Sequence, residues 1–343
     1  MAGPRCVGAA GLAVLAALAA LAAGCRAPHP DEARLRLAFF PNLTHAQALV
    51  GAADGTFARA LGAAPVLRAF DAGPAAMEAL LAGDVDVAYV GPGPAIIAYL
   101  RSGGDALRVV AGAASGGAQL VTRGARRPCD LAGARLASPQ LGNTQDIALR
   151  VWLRAQGLRE GDGRDRVRVF SLSNADVLGL FARGHLEGAW VPEPWGARLR
   201  ARGGRVLVDE RDLWPARRFP TTVLVATRRA LERRRHDVLS IVRAHVALTA
   251  RWSAGPAAFA RAANAELGRI TGHPLEEPVL QDAFSYLDPI SDPLEPQLRT
   301  TARRAQELGY APGGDLSGLV DATLLEQAWA DSRRQDGSPS APR

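Results

Sequence analysis

From residue 35 to residue 209 short apolar runs alternate with longer helical stretches, and no other feature of the 343-residue chain restricts its fold as strongly. Such alternation implies βαβ units, hence an α/β fold of parallel strands with helices on both faces. The first series reads as strands at 35–40, 65–69, 85–90 and 107–113, with helices over 46–61, 74–82 and 94–102. Gly116-Gly117 breaks the chain, and a second series follows. Its strands are expected at 118–122, 136–138, 167–172, 188–191 and 206–209, and its helices over 144–156, 175–183 and 194–202. One more β-rich run covers 221–227, and from 229 onward the pattern is helical, divided near Pro256, Pro274, Pro289 and Pro312.

Two series followed by a return to helices imply two lobes. Residues 33–117 make the first part of lobe 1 and 118–219 make lobe 2. Residues 220–330 complete lobe 1 and add a helical C-terminal region, and the polar segment 331–343 is expected to be disordered. The two crossings, near 114–118 and 218–223, would act as hinge strands.

The N-terminus sets the compartment. Arg5, an uncharged run over 7–23 and Ala22-Ala23-Gly24-Cys25 compose a secretory signal over 1–24. The cysteine after Gly24 points to lipidation at Cys25, and so to the periplasm or the outer face of the cell membrane. Ala22 departs from the Leu, Val or Ile usual three places before such a cysteine, so plain cleavage and an uncleaved anchor stay open. Beyond Cys25 only Cys129 remains, too few for a disulfide within the exported chain.

The formal charge of +7 does not mark a nucleic-acid surface. Every basic position is Arg, spread among Asp and Glu, apart from Arg228-Arg229 and Arg233-Arg234-Arg235, which read as a solvated helix face.

The chemistry concentrates at four strand-to-helix junctions: 41–46, 71–74, 91–94 and 138–146. In a parallel sheet these lie at the carboxyl ends of strands, where open α/β folds bind ligands. Helix starts there present free N–H groups and a positive dipole end to an anion. Each terminus contributes about 0.3–1 kcal/mol, whereas micromolar binding needs about −8 kcal/mol. Side-chain donors must supply much of the rest, and Asn42, Thr44, Ser115, Gln140, Asn143 and Thr144 are the candidates. Ordinary capping accounts for any one junction alone; four on one face point to a site.

Enzymatic readings find little support. The six histidines lack metal-ligand spacing, no Gly-x-Ser-x-Gly elbow appears, and neither a Walker A loop nor GxGxxG is present. No cofactor or metal is implied, and any ATPase would be a separate subunit.

Six segments sharpen this. Asn42-Leu43-Thr44-His45-Ala46, Gly91-Pro92-Gly93-Pro94-Ala95-Ile96, the run 111–117, the run 139–146, Gly188-Ala189-Trp190-Val191-Pro192-Glu193-Pro194-Trp195 and the run 209–215 occur in one order. Together they resemble the aliphatic sulfonate-binding proteins of the nitrate/sulfonate/taurine ABC importer family, over about residues 35–327. The resemblance implies a two-lobed type II periplasmic-binding-protein fold, a monomer, and delivery of a small organic anion to an ABC permease and ATPase. Taurine, nitrate or a thiamine-precursor pyrimidine are alternative ligands, and an enzyme on the same fold or a tethered sensor subunit are alternative roles. Carried over, Asn42, Thr44, Gly93, Ser115, Gln140, Gly142, Asn143 and Thr144 would surround the anionic group. Glu193 would lie at the cleft edge, pairing with a ligand ammonium or, preferably, holding its own loop. His45 is a secondary candidate. Trp190, Trp195 and Tyr89 could meet a ligand tail or pack in the core.

Overall fold

Two mixed sheets, one in each lobe, carry the chain in a computed structural model that describes residues 34–335. The expected signal, Cys25 and the end of the tail lie outside the described residues. In lobe 1 the strands are β1 (Arg36–Phe39), β2 (Val66–Ala69), β3 (Val87–Val90) and β4 (Leu107–Gly116). Lobe 2 holds β5 (Ala118–Thr122), β6 (Arg135–Pro139), β7 (Arg168–Leu172), β8 (Gly188–Pro192) and β9 (Arg205–Asp209). The chain then returns to lobe 1 with β10 (Pro220–Thr227) and β11 (Leu287–Pro289). The sheet orders are β11-β4-β10-β3-β1-β2 and β7-β6-β8-β5-β9.

The period of two sorts the side chains. Leu37 and Phe39 point into a core against the helix Arg235–Ala254, while Ala38 and Phe40 point into another against the helices Pro92–Arg101 and Glu295–Glu307. β3 and β10 are buried throughout, as strands covered on both faces must be. In lobe 2, Leu120 joins Trp152 and Trp190 on one face, and its neighbour Val121 joins Phe181 and Leu199 on the other.

The lobes are linked where β4 runs into β5 and where Phe219 leads into β10. Gly116 and Gly117 have φ of +75° and +69°. A Cβ on Gly117 would lie 2.2 Å from Leu287 Cδ2, so both backbone angle and space call for glycine. The Ser115 hydroxyl accepts from Phe219 N–H at 3.3 Å, which ties the outgoing crossing to the returning one.

Four expectations are corrected. The sheets are not purely parallel: β10 returns from lobe 2 and so runs antiparallel to β3 and β4. The single helix expected over 46–61 is two, Ala46–Ala53 and Thr56–Leu61, because Gly55 turns left-handed and Asp54 Oδ1 accepts from Thr56 N–H. β11 interrupts the all-helical remainder; three residues ending in proline leave no periodic trace. The last helix, Thr323–Gln335, reaches into the segment read as disordered, and Arg243 holds Asp331 there at 2.8 Å. Among the described residues no helix is long and apolar enough to cross a membrane.

Candidate functional site

All four junctions picked out in the sequence meet around one cavity between the lobes. Asn42, Thr44 and His45 line it from the first, Asp71, Ala72 and Gly73 from the second, Gly91 and Pro94 from the third, and Asn143 and Gln145 from the fourth. Asn174, Pro192 and Thr221 complete the wall. The space is about 20 Å³, close to the room one water needs.

The lobes touch directly at its edge. Gly93 N–H donates to Thr144 Oγ1 at 3.1 Å. A Cβ on Gly91 would stand 2.5 Å from the same hydroxyl oxygen, and one on Gly93 would stand 3.1 Å from Thr144 N. Two glycines therefore let the head of the helix Thr144–Ala155 close onto lobe 1.

Three of the polar side chains facing this space, Asn42, Asn143 and His45, share one pattern: their acceptors are already used. Trp195 Nε1–H, a donor only, reaches Asn42 Oδ1 at 3.0 Å. The contacting atom of Asn42 must then be oxygen, which leaves its amide N–H groups free. Gln145 N–H donates to Asn143 Oδ1 at 3.4 Å, as an N-cap does, and frees the Asn143 amide in the same way. Phe40 N–H donates to His45 Nδ1 at 3.3 Å, so Nδ1 carries no proton and Nε2–H is the ring donor. Burial lowers the His45 pKa to about 3, and the ring stays neutral at ordinary pH. Among the described residues lining the cavity there is no arginine, and Asp71 carries the single charge.

The remaining sequence candidates sit elsewhere. Gly93 and Thr144 spend their polar atoms on each other at the cavity edge. Ser115 is fully buried in the crossing. Gln140 is exposed with φ of 34°, in the turn before Gly142. Gly142 N–H donates to Asp146 Oδ2 at 3.1 Å, a fully buried carboxylate that also takes Ser138 Oγ at 2.7 Å and Arg150 Nε at 3.0 Å. Glu193 accepts from Ala197 N–H at 2.9 Å and pairs with Arg200 at 2.8 Å, which spends it on its own loop. Burial outweighs both partners and raises the Glu193 pKa to about 7. Trp190 is core, its Nε1–H donating to buried Glu210, and Tyr89 is core against His245.

Trp195 alone of the three aromatic candidates reaches the cleft. It lines a second space of about 350 Å³ that shares Asn42, Asp71 and Asn174 with the first. Asn174 and Thr221 were missed in the sequence. Ser173-Asn174 ahead of a helical run was a capping signal of the same kind as Asn143-Thr144, and Ser173 does cap Asp176 N–H at 3.1 Å. Thr221 gave no such signal, because it reaches the cavity only through the return crossing.

The model of the NMT1-like family matches residues 28–267. The taurine-binding periplasmic protein of Escherichia coli K12 is 26% identical over 296 residues, covering 81% of this chain and 89% of that protein. The alkanesulfonate-binding protein SsuA of Xanthomonas axonopodis pv. citri, solved with MOPS bound, superposes with a TM-score of 0.65 at 21% identity, over 86% of this chain and 97% of that one. The nitrate-binding protein NrtA of Synechocystis PCC 6803 gives a TM-score of 0.69 at 14% identity, over 90% and 91%. The fold is that of the type II periplasmic binding proteins. The chain belongs to the NMT1-like family, with the nitrate, sulfonate and taurine binding proteins.

Proposed function

We propose that the protein captures an aliphatic sulfonate between its lobes and hands it to an ABC permease from a lipid anchor at Cys25. The observation that carries this reading is the donor set of Asn42, His45 and Asn143, whose acceptor atoms are consumed within the protein. A sulfonate is acceptor-only and stays ionised at any physiological pH. Uncharged N–H donors therefore suit it, and no proton need be exchanged. Nitrate shares that chemistry but has no tail. The 350 Å³ outer space, walled by Trp195, Pro194, Ala175 and Leu267, suits an alkyl chain.

The inner cavity as it stands has room for about one water, so a bound sulfonate group would hold the lobes slightly farther apart than here. The group enters as the lobes part, and contacts from both lobes then favour the closed form over the open one. The crossing glycines supply the hinge.

Titration calorimetry with a series of alkanesulfonates, nitrate and a pyrimidine tests the ligand. An alkanesulfonate is expected to bind most tightly, and at a hundred times its Kd to stabilise the fold by about 2.7 kcal/mol. Tighter binding of nitrate or a pyrimidine would sink the sulfonate assignment. Incorporation of labelled palmitate, lost in Cys25→Ala, tests the anchor.

A further inference from the structure

The positive charge of the chain is not shared between the lobes. Residues 118–219 hold 18 arginines against 11 acids, whereas the remaining described residues hold 20 of each. Lobe 1 is neutral, and the excess falls on lobe 2.

Within lobe 2 that excess gathers at the end away from the ligand cavity. β5 runs antiparallel to β8 and β9, and β6 runs parallel to β7 and β8. The end of β5 and the starts of the other four strands therefore lie together. Arg135 and Arg168 are register partners there, and Arg205 stands opposite Thr122. The nearby acids are spent, Asp130 on Arg127 at 3.0 Å, Glu187 on Arg135 at 2.6 Å and Asp165 on Arg159 at 2.8 Å. Arg126, Arg164, Arg168, Arg183 and Arg205 are exposed, and among the described residues no side chain pairs with them. Against these five stands the exposed Asp162.

Such a face suits a polyanion, because each guanidinium can fork onto two phosphate oxygens. Resting on the anchor at Cys25, we propose that this end of lobe 2 docks on the anionic lipid headgroups of the membrane that holds the chain. Eight residues separate Cys25 from Arg34, at most about 30 Å of extended chain, so the tether keeps the molecule beside that surface. Anionic lipid draws the charged lobe and leaves the neutral one indifferent, which orients a protein that the tether alone lets turn. The ligand cavity lies at the other ends of the lobe 2 strands, around Asn143, Asn174 and Pro192, and stays clear of the lipid.

The test is co-sedimentation of the exported chain carrying Cys25→Ser, which takes no acyl group. Vesicles of phosphatidylglycerol and phosphatidylcholine are expected to bind it at least about tenfold better than phosphatidylcholine alone at about 0.1 M salt. At about 1 M, where screening shortens from about 10 Å to about 3 Å, that preference should vanish. Each arginine at such a surface is worth about fivefold in affinity. The triple variant Arg126→Glu, Arg164→Glu and Arg205→Glu should therefore bind at least about fiftyfold more weakly. Arg229→Glu, Arg233→Glu and Arg261→Glu make the same charge change on exposed positions of lobe 1 and should cost less than about fivefold. No preference for anionic vesicles, or equal loss from both triple variants, would overturn the proposal. Retention on heparin with none on vesicles would overturn lipid in favour of an acidic macromolecule. Should the glutamate variant melt early, the three glutamine replacements read the same loss. The anchor fails separately, as absence of palmitate at Cys25, and the vesicle result does not depend on it.

Discussion

The Tyr310 hydroxyl donates to Asp146 Oδ2 at 2.7 Å, across the boundary between the lobes. Asp146 belongs to the helix that closes the cavity, and Tyr310 follows the helix Glu295–Glu307 of lobe 1. Asp146 keeps Ser138, Gly142 and Arg150 as partners within lobe 2, so this bond serves closure rather than the folding of either lobe. Tyr310→Phe is expected to weaken ligand binding by about 1 kcal/mol, roughly fivefold. Urea unfolding of the unliganded protein should shift by less than about 0.5 kcal/mol. A large loss of intrinsic stability with unchanged affinity would contradict the role in closure.

Gly91 has φ of −65° and ψ of 145°, angles any residue accepts. Alanine there brings no backbone strain, only a methyl group 2.5 Å from Thr144 Oγ1. Gly91→Ala should therefore leave each lobe folded and oppose their closing, at about 1–3 kcal/mol. Small-angle scattering checks this directly: saturating ligand should reduce the radius of gyration less in the variant than in the wild type.

Trp195→Phe keeps an aromatic wall but removes the donor that fixes the Asn42 amide. The amide can then turn its oxygen toward the anion. Affinity for an alkanesulfonate is expected to fall by about 0.5–1.5 kcal/mol. The double variant with Asn42→Ala should lose no more than Asn42→Ala alone, because the tryptophan acts through the asparagine.

Four buried groups shape stability against pH. Burial lowers His45 and His245 to about 3 and 4, so each favours the folded state above pH 6.5 and loses that contribution as pH falls from 6.5 toward its folded value. Burial raises Glu193 and Glu210 to about 7, so each contribution is full below 4.5 and is lost as pH rises from 4.5 to 7. Between about pH 4.5 and 6.5 the two pairs cancel, and these four groups leave stability nearly level. His45→Asn, which still presents an acceptor to Phe40 N–H, removes one rising contribution. Its stability should then fall with pH across that window, by up to about 1.4 kcal/mol per unit. Urea unfolding at half-unit intervals reads the slope, and a variant as level as the wild type would contradict the assignment to His45.

The helix starts were legible because caps and prolines are local signals: Asn143 caps its helix, and Gly91-Pro92 opens another, as the residue types demand. What the chain order hides is who turns to whom. Ser115 reads like a cleft donor until β4 is seen to continue past it into the crossing, paired with Pro220. Asp71 was in view at the second junction, but that it lines the same two spaces as Asn174, about a hundred residues away in the chain, shows only in the fold. Orientation was equally out of reach. Only the Trp195 and Phe40 donors decide which end of Asn42 and which nitrogen of His45 face the cavity.

The strand order of the first sheet has a consequence for biogenesis. β10 lies between β3 and β4, so the centre of that sheet stays empty until residues 220–227 have been made. All five strands of the second sheet precede them in the chain. The inserted lobe is thus the first that can be completed as the chain emerges, and the lobe begun earliest must wait with unpaired edges for its middle strand.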